Sequence, residues 1–410
     1  MIAECPRSNH VGSLLVFSDD WGRHPSSCQH LVRNLLDRYP VLWVNTIGTR
    51  APRFDVQTLK RVTEKLHQWG SGRLAKGIRP KPGVPEMPGF SDTSAVHPNL
   101  TVVNPKMWPW FGGHRDRRFN RWLLSKQLTP LIQQLPQPVV GITTLPITAD
   151  LPGALPVDRW VYYCVDDFST WPGLDGDTLR QMDREMIRHA DSLVAVSPTL
   201  QAMITQEGRS SLLLTHGVDV DVWRTPRGSA TERETSGPQI VFWGVIDRRM
   251  DSPSLQQLSR DLTDGTILLI GPQQDPDPAI LSLPNVQTRP AQPFAALPAI
   301  AQSADVLIMP YADLPVTRAM QPLKLKEYLA TGKPVVVNRL PSTDSWKDCL
   351  DVAETPTQFS QLVRERVARG ITESQTAARC RLQQETWHSK AEVLDQVLNG
   401  QFARYTRNGQ

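Results

Sequence analysis

Short apolar runs recur along the whole chain, and most of them lack alternation between polar and apolar positions. Such runs of Val, Ile, Leu and Tyr are typical of strands buried on both faces of a parallel sheet. The predicted strands of the first half are Leu14–Ser18, Val41–Asn45, Thr101–Asn104, Val139–Thr143, Trp160–Val165, Leu193–Ser197 and Leu212–Thr215. Those of the second half are Ile240–Val245, Ile267–Gly271, Val286–Arg289, Asp305–Tyr311, Pro334–Asn338 and Asp351–Ala353.

Amphipathic stretches lie between several of these runs. Leu31, Leu35 and Leu36 form one apolar face after the first strand. A later helix is predicted to begin at a cap at Asp177 or Thr178. Its apolar face consists of Leu179, Met182, Met186, Ile187 and Ala190. Alternating strands and helices predict α/β, doubly wound domains.

The segment Arg224–Pro238 is rich in Arg, Thr, Pro, Gly, Ser and Glu and has almost nothing apolar, which is typical of a linker. The predicted domains are therefore 1–223 and 239–384, joined by 224–238, with a final helical stretch in 385–410. In that stretch one helical face carries Trp387, Ala391, Leu394, Val397 and Leu398. Because ligands of open parallel sheets bind at the carboxyl ends of the strands, we expect an active site in a cleft between the two domains.

Composition narrows the class of protein. The chain has 410 residues, a formal net charge of +4, and no recognition module for nucleic acid. Its five cysteines show no metal-ligand spacing, which favours reduced thiols. No apolar run approaches the roughly 18 residues that span a bilayer, and the first residues lack a signal-peptide core. We therefore expect a cytoplasmic protein.

The segment Met320–Val337 carries the strongest signal in the sequence. Pro322 suits the first turn of a helix, because its missing N–H is not needed there. Gly332 suits the left-handed position just past the helix end, and Pro334 prevents continuation. A short helix is therefore predicted between two buried strands, with its N-terminus at the carboxyl side of the strand before it.

The amide end of that helix offers a site for a diphosphate. Lys324 in the first turn adds a positive charge, and Glu327 lies three residues on, on the same face. A carboxylate there is able to accept two hydrogen bonds from ribose hydroxyls. The spacing alone fits equally well a solvated Lys–Glu pair on an ordinary helix.

The same segment resembles the donor-binding signature of glycosyltransferase family 4 and its relatives, including teichuronic-acid-type transferases, which have the GT-B fold. The family pattern is roughly Pro-x-Lys-x-x-Glu-Tyr-x-Ala-x-Gly-x-Pro-Val-Val. Further segments resemble the family in the same order: Trp160–Asp167, Ala190–Ser197, Gly217–Asp219 with Trp223, Val241–Arg248 and Ala304–Tyr311.

The resemblance implies two Rossmann-like domains facing across a cleft, with the C-terminal helix (385–410) packed back on the N-terminal domain. It implies transfer of a sugar from a UDP- or GDP-sugar with retention at the anomeric carbon, and neither a cofactor nor a metal. The implied reaction belongs to cell-surface or exopolysaccharide synthesis. The donor-binding residues it indicates are Gly244, Arg248, Arg249, Gln321, Pro322, Leu323, Lys324 and Glu327.

The sequence departs from the family at the first of its two glutamates, where Ala319 stands. Contacts to the sugar hydroxyls must then come from Gln321 or from backbone amides. Which of Arg248 and Arg249 points toward the donor is left open by the sequence. The departure also leaves open a non-catalytic GT-B protein that binds a nucleotide sugar or a partner. Two further alternatives are a GT-B epimerase and a two-domain solute-binding protein.

The loop from Ser18 to His30 follows the first strand and combines carboxylates, an arginine, two histidines and a tryptophan. Ser26 or Ser27 is expected to cap the next helix. The alternative to a functional loop is a simple helix start set by Pro25, with Asp19 solvated. The acceptor-binding candidates are Asp20, Trp21, Arg23 and Ser26. The catalytic candidates are Asp20, His24 and Asp166.

Asp166 and Asp167 end a predicted strand. The two are adjacent, so their side chains point apart, and no metal site is predicted. The second of them also suits a turn with Phe168 and Ser169. His216 is interpreted as packed at the domain junction.

Positive charge is uneven along the chain. Lys and Arg greatly outnumber acidic residues in Arg50–Lys81, and the aromatic segment Met107–Phe111 precedes Arg115, Arg117, Arg118 and Arg121. Cations beside exposed aromatics suit an anionic membrane surface, and a saccharide or lipid-linked acceptor would fit such a location. We therefore expect peripheral contact with the inner face of a membrane. A solvated helix with a packed aromatic turn is the alternative.

Overall fold

A computed structural model describes residues 10–22, 26–46, 97–224 and 237–401 of the chain. By their internal contacts these residues form two units. The N-terminal unit runs up to Thr215 and resumes at Lys390, and the C-terminal unit is His216–Ser389. The predicted linker lies mostly outside the described residues, and the basic segment Arg50–Lys81 lies entirely outside them.

The N-terminal unit is built on a parallel sheet of seven strands in the order β3-β2-β1-β4-β5-β6-β7. Its strands are β1 (Ser13–Ser18), β2 (Val41–Asn45), β3 (Leu100–Val103), β4 (Val139–Thr143), β5 (Arg159–Cys164), β6 (Ser192–Ala195) and β7 (Leu212–Leu213). The central strand β1 pairs in parallel with β2 and β4 and is buried along its whole length. Burial on both faces explains the unbroken apolar runs.

Four helices belong wholly to this unit among the described residues. They are α1 (Ser27–Arg33), α2 (His114–Ile132), α3 (Gly176–His189) and α4 (Pro198–Gln206). Single turns of 3-10 helix occur at Pro146–Thr148 and Phe168–Thr170.

The C-terminal unit has a second parallel sheet, of order β12-β10-β8-β13-β14-β15, and a small pair β11-β9. The strands are β8 (Gln239–Trp243), β9 (Ile246–Asp247), β10 (Thr266–Ile270), β11 (Gln273–Gln274), β12 (Val286–Arg289), β13 (Val306–Met309), β14 (Val335–Asn338) and β15 (Asp351–Ala353). The middle strands β8, β10 and β13 are buried throughout.

The helices of this unit surround its sheet. They are α5 (Val220–Arg224), α6 (Ser252–Asp261), α7 (Pro278–Leu281), α8 (Leu297–Ser303), α9 (Pro315–Ala319), α10 (Leu323–Ala330), α11 (Pro356–Arg369) and α12 (Glu373–Ala378). Turns of 3-10 helix lie at Phe294–Ala296, Pro341–Trp346 and Arg379–Gln384. The last helix, α13 (Trp387–Leu398), begins in this unit, and its part from Lys390 on groups with the other unit.

The part of α13 in the N-terminal unit is fixed there by polar contacts. Tyr39 donates to Asp395 at 2.6 Å, and Arg159 donates to the carbonyl of Leu398, also at 2.6 Å. The apolar face predicted from the sequence is buried: Trp387, Ala391, Leu394, Val397 and Leu398. Within the described ranges, no helix combines the length and the apolar character that crossing a membrane requires.

The fold class predicted from the pattern is confirmed, and every predicted strand is present with an end shifted by a few residues at most. Two helix details were wrong. Helix α1 ends before Leu35 and Leu36, which are buried in the turns that follow it. The cap of α3 is Asp175, whose side chain accepts from the Thr178 amide, because it precedes the first helical residue and Asp177 does not.

Candidate functional site

The helix α10 has the geometry that its sequence predicts at one end and differs at the other. At its C-terminus Gly332 has φ +78°, the left-handed conformation expected just past a helix. At its N-terminus Pro322 is the capping residue, one position before the first turn. The Leu325 amide donates to the Pro322 carbonyl at 3.2 Å. The amides of Leu323 and Lys324, which precede it in the first turn, are the ones that an anion at this helix end would meet.

Lys324 stands in the first turn of α10 between two aromatic rings. Its ammonium donates to the Tyr311 hydroxyl at 2.7 Å and lies 4.3 Å from the centre of the Phe242 ring. No ion pair joins it to a carboxylate in the described parts of the chain. Aromatic faces hold a cation without neutralising it, so the positive charge of Lys324 is kept for an anionic ligand.

A glycine turn after β8 leaves room for that lysine. Gly244 has φ +141°, and a Cβ atom placed on it would lie 2.0 Å from the Lys324 Nζ. Gly271, after β10, approaches the Gly244 carbonyl so closely that its own Cβ would lie 1.8 Å from that oxygen. The two glycines therefore let the ends of β8 and β10 and the lysine converge on one point.

Glu327 lies on the second turn of α10 and is mostly buried. Burial raises the pKa of its carboxyl group to about 7, although the Trp243 indole and the Lys324 ammonium act in the opposite direction. A carboxyl group with such a pKa changes its charge near neutral pH. Perturbed groups of this kind concentrate at functional sites.

The structure distinguishes the two arginines that the sequence left open. Arg248 is exposed and pairs with Asp275 at 3.1 Å. Arg249 is buried, pairs with Asp247 at 2.8 Å, and its guanidinium lies 5.9 Å from the centre of the Tyr311 ring. Because Tyr311 also contacts Lys324, Arg249 is the arginine that faces the same cluster.

The residues just before α10 are packed inward. Gln321 and Pro322 are buried, and Leu323 is partly exposed. Ala319 ends α9 and is only 2% exposed. Position 319 therefore offers no carboxylate to a ligand near the start of α10. The roles assigned to Gly244, Gln321, Pro322, Leu323, Lys324 and Glu327 remain predictions.

Three buried side chains that the sequence analysis did not single out fix α10 in place. The Tyr328 hydroxyl accepts from the Trp243 amide at 3.1 Å. Lys326, 1% exposed, donates to the His216 carbonyl and to Glu385. Arg379 donates to the Lys333 carbonyl at 2.8 Å, just beyond the helix end. Lys326 lies on the side of α10 opposite to Lys324, whereas Tyr328, one turn after Lys324, lies on the same side as that lysine. The helix is therefore anchored on more than one side.

His216 lies among these anchors. Its side chain is buried, and its ring centre is 6.2 Å from that of Trp387. This agrees with the interpretation of His216 as a packed residue.

In the N-terminal unit, the loop after β1 is organised around Asp19. Its carboxylate accepts from Ser26 Oγ at 2.9 Å and from Gln29 Nε2 at 2.7 Å, and its carbonyl accepts from the Trp43 indole at 3.0 Å. Asp19 is partly exposed, and these donors fix its position in the loop. Ser26 is the residue that caps α1.

Of the acceptor and catalytic candidates in this loop, some lie in the described residues and others do not. Trp21 packs edge-on against Trp43 at 4.7 Å, and Arg33 lies 5.2 Å from the Trp21 ring. Asp20 is partly exposed beside the carboxyl end of β1. Arg23 and His24 lie outside the described residues. The acceptor and catalytic roles of these residues stay predictions.

Asp166 and Asp167 follow the carboxyl end of β5. Asp167 caps a 3-10 turn and accepts from the Ser169 amide at 3.0 Å and from Ser169 Oγ at 2.6 Å. Asp166 is partly exposed. Because β5 and β1 are parallel strands separated only by β4, Asp166 and Asp20 lie on the same edge of the sheet, roughly 10 Å apart in strand spacing. Within the described ranges, no three His, Cys, Asp or Glu side chains form a group able to hold a metal ion.

Comparison with known proteins gives one curated relative. A putative teichuronic acid biosynthesis glycosyltransferase of Bacillus subtilis, TuaH, is 30% identical over 177 residues, which are 40% of this chain and 44% of that protein. The match thus covers less than half of the relative's length. No model of a protein family matches the chain.

Solved structures match along nearly the whole chain. Sucrose-phosphate synthase from Thermosynechococcus elongatus has a TM-score of 0.66 at 12% identity, covering 96% of this chain and 99% of that one. HepE of Anabaena in complex with UDP-glucose has a TM-score of 0.56 at 13% identity, covering 96% and 99%. These likenesses confirm the predicted fold, and the match to the curated relative supports the resemblance over the part of the chain that it covers.

Proposed function

We propose that this chain, which has the GT-B fold, is a glycosyltransferase that moves a hexose from a UDP- or GDP-sugar to a saccharide or lipid-linked acceptor with retention at the anomeric carbon. The observation that carries the proposal is the Lys324 ammonium. It stands at the amide end of α10 without a carboxylate partner among the described residues, and Gly244 leaves it space. The neighbour crystallised with UDP-glucose supports a uridine donor.

In the proposed reaction the bond between the anomeric carbon and the β-phosphate oxygen breaks, and a bond to an acceptor hydroxyl oxygen forms. The leaving diphosphate takes the electron pair of the broken bond. Lys324, the first amides of α10 and Arg249 stabilise the charge that develops on it. Glu327 accepts hydrogen bonds from the ribose hydroxyls in its ionised form.

The acceptor hydroxyl must lose a proton as its oxygen bonds to the sugar. Asp20, His24 and Asp166 are the proposed residues of the acceptor side, where such a proton is handled. Asp20 and Asp166 are candidates because they lie on one edge of the N-terminal sheet. Trp21 and Arg23 are proposed to contact the acceptor, and Ser26 has a capping role in addition.

We propose that the reaction needs no metal and no cofactor, because the cations of the chain take the part of a divalent ion. This is tested by activity in the presence of a chelator. Activity that is lost with the chelator and restored by Mg²⁺ or Mn²⁺ would contradict it.

The test of the donor site is binding of UDP, GDP and their sugars, measured by calorimetry. Lys324→Gln is expected to weaken binding at least about tenfold, since a charge-assisted hydrogen bond to phosphate contributes roughly 1.5–3 kcal/mol. Lys347→Gln, which changes an exposed lysine of the same unit, is the matched control and is expected to bind like the wild type. Equal affinity for Lys324→Gln and the control would refute the site.

A second function is favoured by one observation, the alanine at position 319. Without a carboxylate there, the chain would bind a donor but not turn it over. Release of free nucleotide from the donor, or sugar transfer to an added acceptor, supports the transferase. Donor binding with neither reaction, across both nucleotide classes, supports the non-catalytic alternative.

A further inference from the structure

The helix α2 has two unlike faces. Its inner face is buried at Arg117, Asn120, Leu124, Leu128 and Ile132, which recur at helical spacing. The opposite face carries exposed residues at the same spacing: Arg115, Arg118, Phe119, Trp122 and Lys126. The outer face therefore presents aromatic rings and cations together.

The aromatic side chains of this face form a cluster. Trp108, Phe119 and Trp122 are 40%, 43% and 53% exposed, and they are three of the five large hydrophobic side chains that are exposed in the described ranges. Their rings touch in series: the Trp108 and Phe119 centres are 6.0 Å apart, and those of Phe119 and Trp122 are 5.8 Å apart and stacked. Trp110 adds a further contact, at 4.7 Å from Trp108. A cluster of this kind marks a binding surface, whereas single exposed rings do not.

The face is held rigidly from within. The buried Asn120 side chain accepts from the Trp108 amide at 2.7 Å and donates to the carbonyls of Trp108 and Trp110, both at 3.0 Å. Arg117 on the inner face pairs with Asp150 at 2.7 Å and also with Glu185. The rings are thus ordered before any partner binds, which lowers the entropy cost of binding.

Charge indicates which partner the surface fits. Lys126 lies 5.2 Å from the Trp122 ring, and Arg115, Arg118 and Lys106 are exposed nearby. The acidic residue of α2, Asp116, is engaged by the Trp108 indole at 2.9 Å. Two copies of this face would repel each other, whereas an anionic surface would be attracted.

We propose that the face formed by Trp108, Phe119, Trp122, Arg115, Arg118 and Lys126, here called the aromatic–basic face, binds the surface of an anionic lipid bilayer. Indole and phenyl rings enter the headgroup region, where amphipathic rings are stable, and the cations contact lipid phosphates. The surface lies in the N-terminal unit, and its lipid binding does not depend on the proposed sugar transfer.

The test is co-sedimentation of the full-length protein with vesicles of phosphatidylcholine, with and without phosphatidylglycerol. The wild type is expected to bind only the anionic vesicles, and less as salt rises. Replacing Arg115, Arg118 and Lys126 by Gln is expected to weaken binding on the order of 100-fold, given the contribution of each cation near such a surface. Binding that is unchanged by these substitutions would overturn the proposal.

Two controls separate the face from the general charge and apolar surface of the protein. Arg180→Gln, Lys347→Gln and Arg369→Gln together remove the same charge from other exposed positions and are expected to bind normally. The double variant Phe119→Ala with Trp122→Ala removes two rings from the aromatic–basic face. Its control is Leu213→Ala with Leu281→Ala, which removes exposed apolar surface elsewhere. If either control variant loses as much vesicle binding as the matching variant of the aromatic–basic face, the proposal is overturned.

Two further readouts are independent of sedimentation. Phospholipids brominated in the acyl chain are expected to quench tryptophan fluorescence in the wild type, and less in Trp108→Phe with Trp122→Phe. Light scattering after gel filtration measures self-association. A dimer that dissociates on Phe119→Ala with Trp122→Ala, without vesicle binding by the wild type, would assign the face to a second copy instead.

Discussion

The carboxyl group of Glu327 provides a test that separates stability from donor binding. Its pKa is about 7 in the folded protein, compared with the ordinary value of 4.5 expected in the unfolded chain. Between these values the folded protein holds more protons than the unfolded chain, so the free energy of unfolding falls as pH rises from about 4.5 to 7 and then levels off. The substitution Glu327→Gln removes the charge that burial disfavours.

The size of the effect follows from the shift. A change from 4.5 to about 7 corresponds to roughly 3 kcal/mol. Because part of the side chain remains in contact with water, we expect Glu327→Gln to be more stable than the wild type by about 1–2 kcal/mol at pH 8. This is about 2–8 °C in melting temperature for a unit of this size. The difference should vanish below about pH 4.5.

Donor binding should change in the opposite direction. The proposed contact with the ribose hydroxyls needs an ionised carboxylate, so wild-type affinity for UDP should rise with pH through about 7. At pH 7 binding should release about half a proton, which is measurable by calorimetry in buffers of different ionisation enthalpy. Glu327→Gln should bind UDP at least about tenfold more weakly at pH 8 and release no proton from this position.

The assay is urea unfolding of both proteins from pH 5 to pH 8.5, with UDP titrations under the same conditions. Glu373→Gln, an exposed glutamate of the same unit, is the control and should show neither effect. The reasoning is refuted if Glu327→Gln is no more stable than the wild type at pH 8, or if its advantage persists unchanged at pH 5.

Other substitutions test the remaining parts of the site. Gly244→Ala should displace the Lys324 ammonium and weaken UDP binding at least about tenfold, as seen by calorimetry, and unchanged affinity would contradict the close approach. Lys326→Met should destabilise the C-terminal unit by about 3 kcal/mol in urea, because the partner carboxylate is left without its buried cation, and a stable variant would show that this pair is not an anchor. Arg249→Gln should weaken UDP binding more than Arg248→Gln does, and the reverse order would exchange their roles.

The pattern of apolar residues predicted the layout of both units well. Thirteen strands were expected from unbroken apolar runs, and all of them are present. The two short strands β9 and β11 were not predicted. They contain only two residues each, and their pairing depends on the glycine turns that precede them. Strands of two residues are too short to show a periodic pattern of apolar residues from which they could be predicted.

The site was predictable to the extent that it consists of one contiguous helix. Pro322, Gly332 and Pro334 predicted the ends of α10 to within one residue, because helix termination is a local property of the backbone. The hydrogen bonds of Asp19 were not predictable, because its donors, Ser26 and Gln29, approach it only after the loop turns back on itself.

The residue pattern is sufficient to predict which segments are strands and helices, and which helix carries a lysine and a glutamate on one face. The position of Lys324 between the rings of Phe242 and Tyr311, the burial of Arg249 and the anchoring of the helix by Lys326 become visible in the folded chain alone. Local pattern is set by burial and backbone geometry within a few residues. Desolvation, ring contacts and charge pairing depend on residues far apart in the chain, so they exist only once the sheets have formed.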